Sequence, residues 1–161
     1  NQHNLLYNSS ILSHGIIAGG ILYVNVDRNL YAIDIKTGQR IWERNDDWTY
    51  GLEDLFVYGN VLLKCSVNAT TGYDKNTGNI IYNYDDYGSW HTSVHGGYAY
   101  LLNLNDVLDI IDISTGKKLG YIKCPQKDGF LGSYPMIYDN KLYIMGGNNY
   151  LFRYPTYPWK N

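Results

Sequence analysis

The side chains best suited to chemistry in this sequence recur at one place in a repeating pattern. His14, Asp54, His91 and Tyr134 each stand five residues ahead of a turn-forming pair, namely Gly19-Gly20, Gly59-Asn60, Gly96-Gly97 and Asp139-Asn140. They follow one another at intervals of 40, 37 and 43 residues. Imidazole and carboxylate are ordinary ligands of first-row metals, and with a phenol they could also hold the polar end of an organic ligand. A plug of polar groups hydrogen-bonded around ordered water meets the same residues without a ligand, and this plainer reading is favoured, with no metal expected. His91 and His95 lie four apart, but on a strand that separates them by about 13 Å, too far to share a metal.

A second group of candidates lies in two aromatic and acidic segments, Asn45-Asp46-Asp47-Trp48-Thr49-Tyr50-Gly51 and Tyr84-Asp85-Asp86-Tyr87-Gly88-Ser89-Trp90. Trp48, Tyr50, Tyr87 and Trp90 beside acids and amides suit stacking on sugar rings or anchoring a protein partner. The competing reading is that these rings pack in the interior, since aromatic residues dominate core and interface burial alike. The corresponding segment from Pro125 to Phe130 is plainer.

Signals for catalysis are missing. The chain has no nucleophile elbow, phosphate-binding glycine loop or zinc signature. Cys65 and Cys124 are its only cysteines, too few for a disulfide framework and not spaced as a metal site, so both are expected to be buried thiols. Cys65 is expected on an inner strand and Cys124 just past an outer one, an awkward pair to bridge. Asn8-Ser9-Ser10 and Asn68-Ala69-Thr70 fit the glycosylation pattern, which is common by chance in an Asn-rich sequence.

The elements that position these residues follow from a repeat. Asp34-Ile35-Lys36-Thr37-Gly38 returns as Asp74-Lys75-Asn76-Thr77-Gly78 and as Asp112-Ile113-Ser114-Thr115-Gly116, 40 and then 38 residues apart. Apolar, strand-like runs flank each copy. The Asp side chain can accept from amides just downstream, and Gly supplies the positive φ of a short bulged hairpin loop, so these acids read as turn chemistry. One Asp per copy is too sparse for a calcium loop. Each Gly/Asn turn pair joins two further strands, as in Gly19-Gly20-Ile21-Leu22-Tyr23-Val24.

One unit therefore reads as four antiparallel strands in about 40 residues, the signature of a β-propeller blade. With 18 Tyr and 17 Gly against 4 Pro, the composition agrees with an all-β chain. A single β-propeller domain is expected over residues 1–161, with blades near 9–44, 50–84, 88–123 and 128–154. The last is completed by residues 4–8, because Asn4-Leu5-Leu6-Tyr7-Asn8 echoes the outer strand Asn79-Ile80-Ile81-Tyr82-Asn83. Such a strand exchange leaves no sheet edge unpaired. His14, Asp54, His91 and Tyr134 then begin the innermost strands, the two histidines facing each other across a central channel with Asp54 and Tyr134 between.

The run Ala32-Ile33-Asp34-Ile35-Lys36-Thr37-Gly38-Gln39-Arg40-Ile41-Trp42 resembles the tryptophan-docking repeat of PQQ-like, quinoprotein-type propellers at every defined position, Ala-x-Asp-x-x-x-Gly-x-x-x-Trp. The second copy begins with Gly72 and ends on Tyr82; the third begins with Ile110 and ends on Gly120. The resemblance spans roughly residues 5 to 154. It implies an outer-strand aromatic packed between neighbouring blades. In enzymes of the family it also implies PQQ, calcium and a catalytic carboxylate at the axis of eight blades. This sequence has no vicinal cysteine pair, about half those blades and no acidic and amide cluster for calcium, so no cofactor and no catalysis are expected.

Charge narrows the partners. The net charge is −2 with 17% charged residues, so nucleic acid is not an expected partner. No apolar run approaches the roughly 20 residues of a membrane-spanning helix, so membrane insertion is not expected. The chain begins at Asn1 without Met, from which a processed product is expected, and its Pro-interrupted tail reads as a terminus. The expected role is a ligand- or protein-binding module, extracellular, periplasmic or surface-exposed, with a protein or glycan partner. The alternative is a scaffold subunit of a larger assembly or a piece of a larger PQQ-like propeller. Self-closure of four blades ranks ahead of an eight-bladed homodimer.

Overall fold

The computed structural model describes residues 15–26, 29–45, 54–67, 69–84, 89, 91–103, 105–123, 125, 134–146 and 150–158. The first sheet contains β1 (Ile16–Ala18), β2 (Ile21–Val26), β3 (Asn29–Asp34) and β4 (Arg40–Asn45). The second contains β5 (Asp54–Tyr58), β6 (Val61–Cys65), β7 (Thr70–Asp74) and β8 (Ile80–Tyr84). The third contains β9 (His91–His95), β10 (Tyr98–Leu102), β11 (Val107–Asp112) and β12 (Lys118–Lys123). The fourth contains β13 (Met136–Tyr138), β14 (Lys141–Met145) and β15 (Leu151–Pro155). Within each sheet the strands lie side by side in chain order, all antiparallel. The expected completing strand, residues 4–8, lies outside the described residues, as do Asn8, Asn68 and Cys124.

The hairpins form for the local reason read from sequence. Asp34 Oδ1 accepts from the amides of Lys36 at 2.9 Å and Thr37 at 2.8 Å, and from the Thr37 hydroxyl at 3.0 Å. Asp74 accepts from the amides of Asn76 and Thr77, and Asp112 from that of Thr115. Gly38, Gly78 and Gly116 close the loops at φ of 69°, 72° and 74°, a conformation that costs an L residue with a Cβ about 1–2 kcal/mol.

The register explains why the repeat changes from copy to copy. Ala32 pairs with Trp42, Gly72 with Tyr82 and Ile110 with Gly120, each just before an identical bulge. A small residue faces a large one in all three. In the third sheet the bulk has moved from the outer strand to its neighbour. At Gly72 the match is close, since an added Cβ would stand 2.3 Å from the Tyr82 ring.

The sheets pack face to face around three apolar clusters. Tyr23, Leu30, Ala32 and Trp42 of the first meet Leu55, Leu62 and Tyr73 of the second. Val61, Leu63 and Cys65 of the second meet Ala99, Leu101, Ile111 and Ile113 of the third. Tyr100, Leu102, Leu108 and Ile110 of the third meet Leu142 and Ile144 of the fourth. Alternation along each strand puts successive side chains into successive interfaces, as the period of two requires. The first strand of each sheet lies innermost: β1 meets β5, β5 meets β9 and β9 meets β13. Among the described residues, no helix is long and apolar enough to cross a membrane.

Candidate functional site

The innermost strands bring three of the four recurring polar residues together. Asp54 is the first residue of β5 and His91 the first of β9, whereas Tyr134 lies two residues ahead of β13 and not within it. The Tyr134 hydroxyl donates to Asp54 Oδ1 at 3.5 Å, the long end of a hydrogen bond. Asp54 Oδ2 also accepts the amide of Thr92 at 3.4 Å. The His91 and Tyr134 rings lie 4.2 Å apart at 45°. Second and fourth sheets are thus joined across the inner strands, with His91 of the third alongside. Tyr134 thus reaches Asp54 directly across the inner strands. His14, Trp48, Tyr50, Tyr87 and Trp90 lie outside the described residues.

Electrostatics follow from this packing. Burial raises the Tyr134 hydroxyl above the usual phenol range, and the neighbouring Asp54 charge and hydrogen bond raise it further, so the phenol keeps its proton and donates. His91 Nδ1 is buried without a hydrogen-bond partner among the described residues. Ser93 Oγ donates to the carbonyl of Pro135, a second tie between β9 and the segment entering β13 that the sequence did not reveal.

Two neighbouring groups do other work. Cys65 pairs in register with Asp54, on the second strand of its sheet and not on the innermost one. Burial pushes its thiol up to about 12, against hydrogen bonds with Thr92 and Thr70 that act in the opposite direction, so it is a protonated core residue. His95 Nε2 lies 3.2 Å from Asn140 Oδ1, across to the fourth sheet.

Among the described residues, the recurring position supplies one carboxylate, one imidazole and one phenol. Among the described residues, no three His, Cys, Asp or Glu side chains group to hold a metal. A calcium ion takes six to eight oxygen ligands, and among the described residues the inner ends of these strands supply one acidic side chain, Asp54.

No protein-family model and no curated protein sequence matches the chain. Solved structures do match in shape. The computationally designed Ika4 protein superposes with a TM-score of 0.70 at 13% identity over 91% of this chain and 92% of its own. BamB from Moraxella catarrhalis gives 0.69 at 14% identity over 89% of this chain, which spans 42% of BamB. Quinohemoprotein alcohol dehydrogenase from Comamonas testosteroni gives 0.56 at 16% identity over 71% of this chain and 21% of the enzyme. At these identities the likeness concerns the fold. The chain is an all-β propeller of four-stranded antiparallel blades, similar in shape to PQQ-like propellers.

Proposed function

We propose that this chain is a single-domain, non-catalytic binding module whose ligand face is the end of the propeller where the inner strands begin. The observation that carries this reading is the convergence of Asp54, His91 and Tyr134 from three blades onto one polar cluster. Loops on a rigid scaffold commonly carry binding, and Trp48, Tyr50, Tyr87 and Trp90 fall in the sequence between the outer strand of one blade and the inner strand of the next. The partner is a protein or a glycan, met outside the cell, in a periplasm or at a surface. The PQQ-like repeat supplies the scaffold, with Trp42 and Tyr82 as its docking residues.

Arrays of glycans and of surface proteins, probed with the purified chain, test this. Signal lost in Asp54→Asn and in the double variant Trp48→Ala/Trp90→Ala, with thermal unfolding of each checked against the parent, supports the face. Signal unchanged in both refutes it.

A second reading, self-association, is favoured by the end blades. Ile16 and Ala18 pack toward the second sheet, so Ile17, 62% exposed, points away from it. Ile137 and Phe152 pack toward the third sheet, leaving Met136, Tyr138 and Leu151 on the far side at 56%, 77% and 56% exposed. No apolar cluster among the described residues unites the first and fourth sheets. Two chains joined at these faces would form one ring of eight blades. Light scattering distinguishes the 18.5 kDa monomer from a species of twice that mass.

A further inference from the structure

We propose that the cleft between the third and fourth blades, on the face of the strand turns, is a binding slot for one uncharged aromatic side chain, Tyr or Trp, of a partner polypeptide. The cleft measures about 620 Å³, within the range of ligand pockets, and is lined by His95, Gly96, Tyr98, Asn140 and the segment Pro155–Pro158. It is separate from the polar cluster at the start of the inner strands, and the proposal does not depend on that face being functional.

The other two seams show what such a slot holds. At the seam of the first and second blades, the Trp42 indole lies on Gly78 and donates to the Lys75 carbonyl at 2.9 Å. At the next, the Tyr82 ring lies on Gly116 and donates to the Ile113 carbonyl at 2.7 Å. A second ring fills the inner side of that seam, where Tyr58 lies against Gly97. At the seam of the third and fourth blades neither position carries a Trp or Tyr. The outer-strand residue is Gly120, and the counterpart of Tyr58 is the smaller His95, hydrogen-bonded to Asn140 in the place of Gly97.

The walls that remain are suited to a ring. Tyr98 and Tyr157 meet edge to face at 4.8 Å and 73°, the arrangement aromatic pairs prefer. The Pro155–Pro158 segment is fixed to both blades, since the Thr156 amide donates to Asn140 O at 3.1 Å and the Tyr157 amide to the Tyr100 hydroxyl at 2.8 Å. Among the described residues that line it, none is an acid, a lysine or an arginine. An uncharged guest matches that lining, because a charged one would lose hydration without gaining a counter-charge.

The test is an amide-resolved NMR titration of the full chain with N-acetyl-tryptophanamide and N-acetyl-tyrosinamide, using methyl glucoside as a non-aromatic control. Saturable shifts at Gly96, Tyr98 and Asn140 are expected with both aromatic amides. In His95→Tyr, which puts back the ring that Tyr58 provides one seam earlier, binding weakens at least tenfold. Any of four results overturns the proposal: no saturable shifts in the unmodified chain, shifts elsewhere, equal binding of the glucoside, or binding only after Trp159→Ala, which would make the chain's own tail the occupant. The titration of the unmodified chain decides even where a variant fails to fold.

Discussion

The indole Nε1–H of Trp42 donates to the backbone carbonyl of Lys75 at 2.9 Å, tying the outer strand of one blade to the turn of the next. The equivalent bond from the Tyr82 hydroxyl reaches Ile113 at 2.7 Å. Lys75 and Ile113 each follow the turn aspartate of their blade, so one device is built twice. Trp42→Ala removes a buried ring and its bond together, and is expected to cost about 3–5 kcal/mol in urea unfolding. Trp42→Phe retains most of the burial and leaves the carbonyl unpaired, for a loss of about 1–3 kcal/mol. Equal losses in the two variants would show that the hydrogen bond, not the ring, holds the seam.

Gly38 and Gly78 separate backbone strain from packing at equivalent positions. Both have positive φ, but an added Cβ meets nothing within 4 Å at Gly38, whereas at Gly78 it stands 2.8 Å from the Trp42 ring. Gly38→Ala should therefore cost only the left-handed backbone term, about 1–2 kcal/mol. Gly78→Ala adds a clash worth about 1–3 kcal/mol more. Thermal unfolding of the two variants gives the difference, and matching losses would refute the ring contact.

The turns were legible because their chemistry is local: Asp, Thr and Gly within five residues fix the loop whatever surrounds it. The seams were only half legible. The Ala32-to-Trp42 spacing pointed to a docked ring, but Gly120 simply departs from the motif, because the compensating Ile110 lies across a strand pair and the two are matched only by register. Recurrence marked Asp54, His91 and Tyr134 as equivalent without showing that the Tyr134 side chain is long enough to reach Asp54. The cleft could not be read at all, since its walls come from two blades, His95 and Tyr98 on one side and Asn140 with the Pro155–Pro158 segment on the other.

Acid sensitivity should come from the exposed turn aspartates. The amide and hydroxyl of Thr37 hold Asp34 below the usual carboxylate value of 3.8, and the Thr77 amide does the same for Asp74. A carboxyl whose pKa is lower folded than unfolded contributes stability above the unfolded value, and that contribution is lost as pH falls through the folded one. The chain should therefore lose stability as pH drops below about 3.8. Asp34→Asn/Asp74→Asn keeps an acceptor oxygen without a titrating proton. The fall in melting temperature between pH 6 and pH 3 should be smaller in this variant than in the parent, and an equal fall would assign the acid sensitivity elsewhere.

A charged pair tests the third blade from within. Asp109 on β11 is 1% exposed and accepts from Asn103 Nδ2 at 3.0 Å, while Lys118 Nζ, on the partly exposed chain from β12, lies 2.6 Å from its other oxygen. Lys118→Ala leaves that carboxylate in the core without its cation. Breaking a buried pair from one side costs about 3–5 kcal/mol, and the lower end applies because Lys118 is part solvated. Asp109→Asn in the same chain removes the charge that was stranded. The double variant should thus be more stable than Lys118→Ala alone, a non-additivity expected only of groups in direct contact. If the double variant is instead less stable than the single by the full cost of Asp109→Asn, the two residues act independently and Lys118 stabilises the blade through packing on its strand.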